Sequence, residues 1–244
     1  MPRFTPLLLA ALLLAATGCS TPGANQSPKG TIVWSACPSE RQPELECGEV
    51  LAPMTRTPDD TRTVKLSVAR LAATDPGRRI GSLVLHFGGP GASGIDRLGR
   101  IGRAIVSDEI AARFDLVAYD QRGVGATLPV DCLDDAGLDA WLDAENPPAA
   151  PSTADLAAAA TEAQRFARAC TARSGNERLS LVSSSIAVDD LDVLRVALGE
   201  AQLTYLGYSY GGYLGALYAD RYPNRVRAFL LDGAVEPEIG RAHV

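Results

Sequence analysis

The chain has 244 residues, enough for one domain of ordinary size, and 46% of them are hydrophobic, enough for a core. The formal net charge is −6, aromatic residues make up 6%, and the sequence has no basic run. Together these argue against a nucleic-acid partner or a base-stacking surface.

In chain order, the first segment reads as a targeting signal. Arg3 and the α-amino group precede an apolar stretch, Leu7 to Ala16, that is short for a bilayer span. Residues 1–18 are expected to be a signal peptide. The stretch ends in Ala16-Thr17-Gly18-Cys19, which resembles a bacterial lipobox. That resemblance implies cleavage before Cys19 and a lipid on its sulfur. Such a lipid holds a protein at a membrane surface without a transmembrane helix. The other reading is plain secretion with cleavage at a small residue. Either way the protein is expected to be exported, as a cell-surface lipoprotein or a secreted one. Residues 19–30 are read as lipid anchor and linker, because Ser20 to Lys29 is rich in Pro, Gly, Ser and Asn.

Export favours disulfides. Beyond Cys19 the cysteines are Cys37, Cys47, Cys132 and Cys170, which can pair in more than one way. The pairs nearest in sequence, Cys37–Cys47 and Cys132–Cys170, are favoured. A metal site is the rival reading. The sequence offers it no C-x-x-C and no neighbouring histidine, so no metal is expected.

Thr31 to Ala36 is strand-like. Thr63 to Ala72 is another strand, with Val64, Leu66 and Val68 alternating with Lys65 and Ser67. Ser82 to Phe87 and Phe114 to Tyr119 are nearly all apolar, as buried parallel strands are. A Pro-rich break, Asn146 to Pro151, precedes an Ala-rich helix from Ser152 to Arg173, with Ser152 as its cap and Asp155 three residues on. Ile186 to Leu198 places Leu191, Leu194 and Leu198 on one helix face and stops at Gly199. Leu203 to Leu206 and Val226 to Leu231 are further strands, and Gly212 to Tyr222 is helix-compatible. Strands alternating with helices predict an α/β fold with a mostly parallel sheet.

Four motifs stand at the ends of these elements. Gly207-Tyr208-Ser209-Tyr210-Gly211 lies between a strand and a helix. That is the setting of a nucleophile elbow, a sharp turn that exposes a serine hydroxyl. Ser209 is therefore the candidate nucleophile. Gly88-Gly89-Pro90-Gly91-Ala92-Ser93-Gly94 follows the Ser82–Phe87 strand. As an oxyanion loop it would supply an N–H from Gly88 or Gly89, with Tyr210 supplying the second. A phosphate loop does not fit, because no Lys-Ser/Thr follows and Pro90 lacks a donor. His86, at the end of a buried strand, reads as structural rather than as the base. Asp120-Gln121-Arg122-Gly123 either fixes loop geometry beside the site or is a solvated turn. Asp189, Asp190 and Asp192 precede the serine and read as a solvated or capping face, not as the catalytic acid.

In this order G-G-P-G, D-Q-R-G, G-Y-S-Y-G-G and Leu231-Asp232-Gly233 resemble the prolyl-aminopeptidase-type α/β-hydrolases, in particular an exported tripeptidyl-aminopeptidase-like branch of actinobacteria. The resemblance runs from about Trp34 to Pro237. Where that branch carries Asn-Pro before its glycine pair, this chain has His86-Phe87. The resemblance implies an α/β-hydrolase fold and release of short peptides from free N-termini through an acyl-enzyme on Ser209, with no cofactor.

It also implies a triad Asp, a triad His and a cap domain later than Ser209. The chain has two histidines, His86 and His243. Residues 31–237 are accordingly read as the N-terminal part of the hydrolase domain, with C-terminal strands and cap missing, an exposed sheet edge, and no activity in this chain alone. The tail, residues 238–244, resembles the translation of a sequencing adapter and is read as non-native. Two rival functions remain. One is an esterase on the same fold, and the other is a non-catalytic surface lipoprotein that reuses the fold for binding.

Overall fold

The computed structural model describes residues 31–38, 43–144 and 150–233. The signal peptide, Cys19, the linker, His243 and the tail lie outside the described residues. One seven-stranded sheet organises the rest. Its strands are β1 (Ser35–Ala36), β2 (Leu45–Pro53), β3 (Thr63–Leu71), β4 (Gly81–His86), β5 (Phe114–Tyr119), β6 (Leu203–Tyr208) and β7 (Val226–Asp232). They lie in the order β1-β2-β3-β5-β4-β6-β7. The β1–β2, β2–β3 and β3–β5 pairings are antiparallel. Strands β5, β4, β6 and β7 run parallel.

The apolar runs are continuous because both sheet faces are covered. On β4, Val84 joins a core with Leu191 and Leu194 of α6 (Ser184–Ala197) and Leu214 of α7 (Tyr210–Arg221). Leu83 and Leu85 face the other way, onto a core with Leu98 of α1 (Gly94–Ile101). Strand β7 is the sheet edge among the described residues, and Leu230 on it is 58% exposed.

The structure departs from expectation in several places. The strand expected over Thr31 to Ala36 shrinks to Ser35–Ala36, because the Thr31 N–H donates to the Ala197 carbonyl at the end of α6 instead. Strand β2 was not foreseen. Glu46, Cys47, Gly48 and Glu49 interrupt its apolar pattern, and nine-residue pairing with β3 makes the strand. Cross-strand pairs Arg70–Glu46 (2.7 Å) and Lys65–Glu49 (2.7 Å) fit its register. Helices α1, α2 (Asp108–Arg113) and α3 (Asp135–Leu142) are too short to show a period, and each starts at a side-chain cap: Ser93, Ser107 and Asp134.

Both favoured disulfides are present, Cys37–Cys47 and Cys132–Cys170. The second staples an excursion that leaves after β5 and returns before α6. It consists of α3, α4 (Thr153–Ser174) and the short α5 (Asn176–Ser180). Helix α4 starts with the expected Ser152–Asp155 capping box. Its one buried residue is Cys170. Trp141 stacks on Phe166 with ring centroids 5.3 Å apart, although Trp141 remains 44% exposed.

Candidate active site

Because β4, β5 and β6 are parallel, their C-terminal ends meet at one edge of the sheet. The glycine loop, the Asp120 turn and Ser209 follow those three ends. Sequence-distant motifs are thereby gathered into one place.

Ser209 sits between β6 and α7 with φ +51° and ψ −117°. That backbone region is costly for a residue with a Cβ. Neighbouring bonds impose it. The Ser209 N–H donates to the Asp232 carbonyl of β7 (2.8 Å), and the Ser209 carbonyl accepts from the Gly212 N–H (2.8 Å). The result is an exposed side chain on a fixed backbone. The elbow glycines are required by close approach. A Cβ on Gly211 would lie 2.6 Å from the His86 carbonyl oxygen, and one on Gly207 would lie 2.5 Å from the Gly211 carbonyl carbon.

The glycine loop lies against the serine. A Cβ on Gly88 would fall 3.1 Å from the Ser209 Cβ. Gly88 (φ +89°) and Gly89 (φ +112°) both adopt left-handed backbone. The Gly88 N–H donates to His86 Nδ1 at 3.2 Å. Of the two loop N–H groups expected at an oxyanion, the Gly88 one is therefore already engaged, because His86 is folded back beneath it. No protein acceptor for the Gly89 N–H is present among the described residues. Tyr210 is the first residue of α7, so its N–H has no partner within the helix.

His86 is structural, as read from sequence. It is buried, Nδ1 accepts from Gly88, and Nε2 faces Gln121 Oε1 at 3.3 Å. Both ring nitrogens are committed, which leaves none for a serine proton. Burial pushes its imidazole below the usual histidine value.

The Asp120 turn fixes geometry. Buried Asp120 accepts from the Ser93 hydroxyl (2.8 Å) and the Ile95 N–H (3.3 Å), tying the turn to the start of α1. Gln121 holds His86. Arg122 makes a buried bidentate pair with Asp190 (2.8 and 2.8 Å) and donates to the Pro53 and Met54 carbonyls. Burial raises the Asp190 carboxyl, and Arg122 opposes the rise.

The acidic triplet on α6 is thus not a solvated face. Asp190 is buried on Arg122, Asp189 pairs with Arg221, and Asp192 pairs with Arg195 and Arg225. These partners come from the Asp120 turn, from α6 itself, from the end of α7 and from the turn before β7, so the triplet's spacing could not announce them. Beside Tyr210 is a cavity of about 220 Å³, whose lining includes Pro90, Gln121, Val182, Ser184 and Ala187. The Tyr210 and Ser184 hydroxyls are 2.9 Å apart at its wall. Among the described residues no group of three or more His, Cys, Asp or Glu is placed to hold a metal ion.

Comparison with known proteins agrees with this fold. A family model described as alpha/beta hydrolase fold matches residues 81–243. The chain is 37% identical over 242 residues to the serine protease Hip1 of Mycobacterium tuberculosis, covering 94% of this chain and 45% of that protein. It is 35% identical over 218 residues to a tripeptidyl aminopeptidase of Streptomyces lividans, covering 88% and 40%. It is 36% identical over 248 residues to carboxylesterase B of Mycobacterium tuberculosis, covering 96% and 47%. The chain spans slightly less than half the length of these curated relatives.

Proposed function

The chain belongs to the alpha/beta hydrolase fold family, and from that premise we propose that it carries the nucleophile half of an exported serine peptidase that releases short peptides from free N-termini. One observation carries this reading. Exposed Ser209 stands at a strained turn between β6 and α7, with the glycine loop against its Cβ. Similarity to Hip1 and to a tripeptidyl aminopeptidase supports the peptidase class.

In the proposed reaction Ser209 Oγ attacks the peptide carbonyl, the amine leaves, and water resolves the acyl-enzyme. The developing oxyanion is received by the N–H groups of Tyr210 and Gly89. A general base must take the serine proton. Neither nitrogen of His86 is free, and His243 lies outside the described residues. In triads, loss of the base costs several orders of magnitude in rate. With residues 238–244 read as a non-native tail, no base remains for Ser209, and we propose that these 244 residues alone are inactive. Export rests on the residue 1–18 signal and gains support from the two disulfides. Lipidation of Cys19 would set the protein at a membrane surface.

The test begins with the source gene read to its stop codon. Its product is assayed with tripeptidyl p-nitroanilides and with p-nitrophenyl esters, each beside Ser209→Ala. Anilide turnover abolished by the substitution is the expected result. Turnover confined to esters selects an esterase, the reading favoured by the carboxylesterase B similarity. No turnover of either substrate sinks the enzyme reading and favours a binding lipoprotein. For the 244-residue chain alone, background turnover is expected. Turnover lost in Ser209→Ala would place the base within it.

A further inference from the structure

We propose that His86 is a positioning residue for the oxyanion loop, latching the Gly88 N–H through an unprotonated Nδ1 and releasing it when the ring takes up a second proton. The functional consequence rests on the proposed role of Ser209, whereas the latch itself does not.

The bond directions fix the tautomer. Gly88 can only donate, so Nδ1 must present its lone pair at 3.2 Å. The ring proton of the neutral form is then on Nε2, which donates to Gln121 Oε1 at 3.3 Å. An imidazolium would carry a hydrogen on Nδ1 and set two donors against each other. Protonation and the latch therefore exclude one another.

The surroundings hold the ring neutral. His86 is at the end of β4 and pairs in register with Gly207 of β6. Tyr119 of β5 meets the ring edge-on at 6.1 Å between centroids, and Tyr210 of α7 does so at 5.8 Å. Gln121 caps Nε2 without charge. The start of α7 presses on the other side, where a Cβ on Gly211 would lie 2.9 Å from Nδ1. That helix end carries the positive pole of the macrodipole and disfavours a second proton. Two buried carboxylates stand on the neighbouring segments: Asp120, beside Gln121, accepts from the Ser93 hydroxyl and the Ile95 N–H, and Asp190 of α6 is paired with bidentate Arg122. Burial acts in the same direction on the imidazole.

The latch matters because of its position in the loop. Gly88 is the loop residue against Ser209, and Gly89, the proposed oxyanion donor, comes next. With Nδ1 withdrawn, the Gly88 peptide loses its acceptor and the backbone leading into Gly89 is no longer held in place. Asparagine offers the conservative replacement. Its side-chain oxygen reaches a similar distance from the backbone and accepts a hydrogen bond without titrating.

The experiment is 15N nuclear magnetic resonance on the full 244-residue chain, whose two histidines make assignment direct. Near pH 7.5 the expected result is an Nε2-protonated His86 and a nitrogen–nitrogen coupling between its Nδ1 and the Gly88 amide. On acidification the Gly88 amide should shift in step with the His86 titration, with a midpoint below the ordinary 6.5. His86→Asn should keep the Gly88 amide protected and flatten its pH response. His86→Leu should raise its exchange rate about tenfold at every pH. A ring protonated on Nδ1 at neutral pH overturns the proposal, as does a Gly88 amide that ignores the His86 titration. Should His86→Leu fail to fold, the wild-type tautomer and titration still decide. Failure of the Ser209 reading would show only in the Ser209→Ala assay and leave these spectra unchanged.

Discussion

The strand ends around Ser209 and the α3–α4 excursion are held by opposite means. Around Ser209 the backbone itself is the structural material. Gly207, Gly211 and Gly88 let main chains approach within distances that no Cβ tolerates. In the excursion, side chains and a covalent bond do the holding. Helix α4 buries Cys170 alone, and a disulfide, a capping box and a Trp141–Phe166 stack fix it. Geometry that must be accurate is built where the chain has no alternative, whereas geometry that can vary is stapled at its base.

The largest expected effect breaks the first region. Gly211→Ala sets a Cβ against the His86 carbonyl, which is backbone and cannot swing aside. A loss of about 3 kcal/mol or more is expected in urea unfolding, because overpacking against backbone has little room to relax. A loss below about 1 kcal/mol would mean the elbow is looser than its spacing implies. The matching change in the second region is Cys132→Ser with Cys170→Ser. It should cost about 3 kcal/mol of stability, confined to α3 and α4. Hydrogen exchange would show faster α4 amides over an unchanged β6. Equal acceleration in both would erase the distinction between the regions.

Two serines sharpen the contrast further. Ser152 caps α4 and accepts from the Asp155 N–H, so Ser152→Ala should cost roughly 1 kcal/mol. Ser209 carries strain at φ +51°, so Ser209→Gly should stabilise by roughly 1 kcal/mol while abolishing any nucleophile. Paired melts of the two variants read both signs, and a destabilised Ser209→Gly would show the turn is unstrained.

The smallest effect depends on pH. The His86 imidazole is held below its unfolded value of 6.5 in the native protein. As pH falls through 6.5 the unfolded chain gains a proton that the native ring refuses, so stability drops. From pH 7.5 to 5.5 the native protein should lose roughly 1 kcal/mol more than His86→Asn does. Parallel slopes for the two proteins would rule out a depressed histidine.

Elements whose information is local were legible in the sequence. Phe114 to Tyr119 announced β5 because buried strands are apolar on both faces, and the apolar run Val226 to Leu231 announced β7 although that strand stands half-exposed at the sheet edge of the described residues. Helix α4 was legible from its cap, and Ser209 from the glycines that its turn requires. Strand β2 was hidden because its partner β3, not its own pattern, makes it a strand. The Asp190–Arg122 pair was hidden for the same reason, its halves lying on α6 and in the turn after β5. That Gly88 would be occupied by His86 could not be read from either residue. It depends on how the loop folds back over the strand that precedes it.

Among the described residues, the stretch that the Cys132–Cys170 bond brackets is largely exposed. A protease that cuts any single peptide bond between those two residues therefore releases nothing. Under oxidising conditions the nicked molecule keeps both pieces, gains the mass of one water, and separates only when a reductant is added. In the exported setting proposed above, a nick in α3 or α4 would leave the β6–α7 elbow covalently attached to every strand beside it.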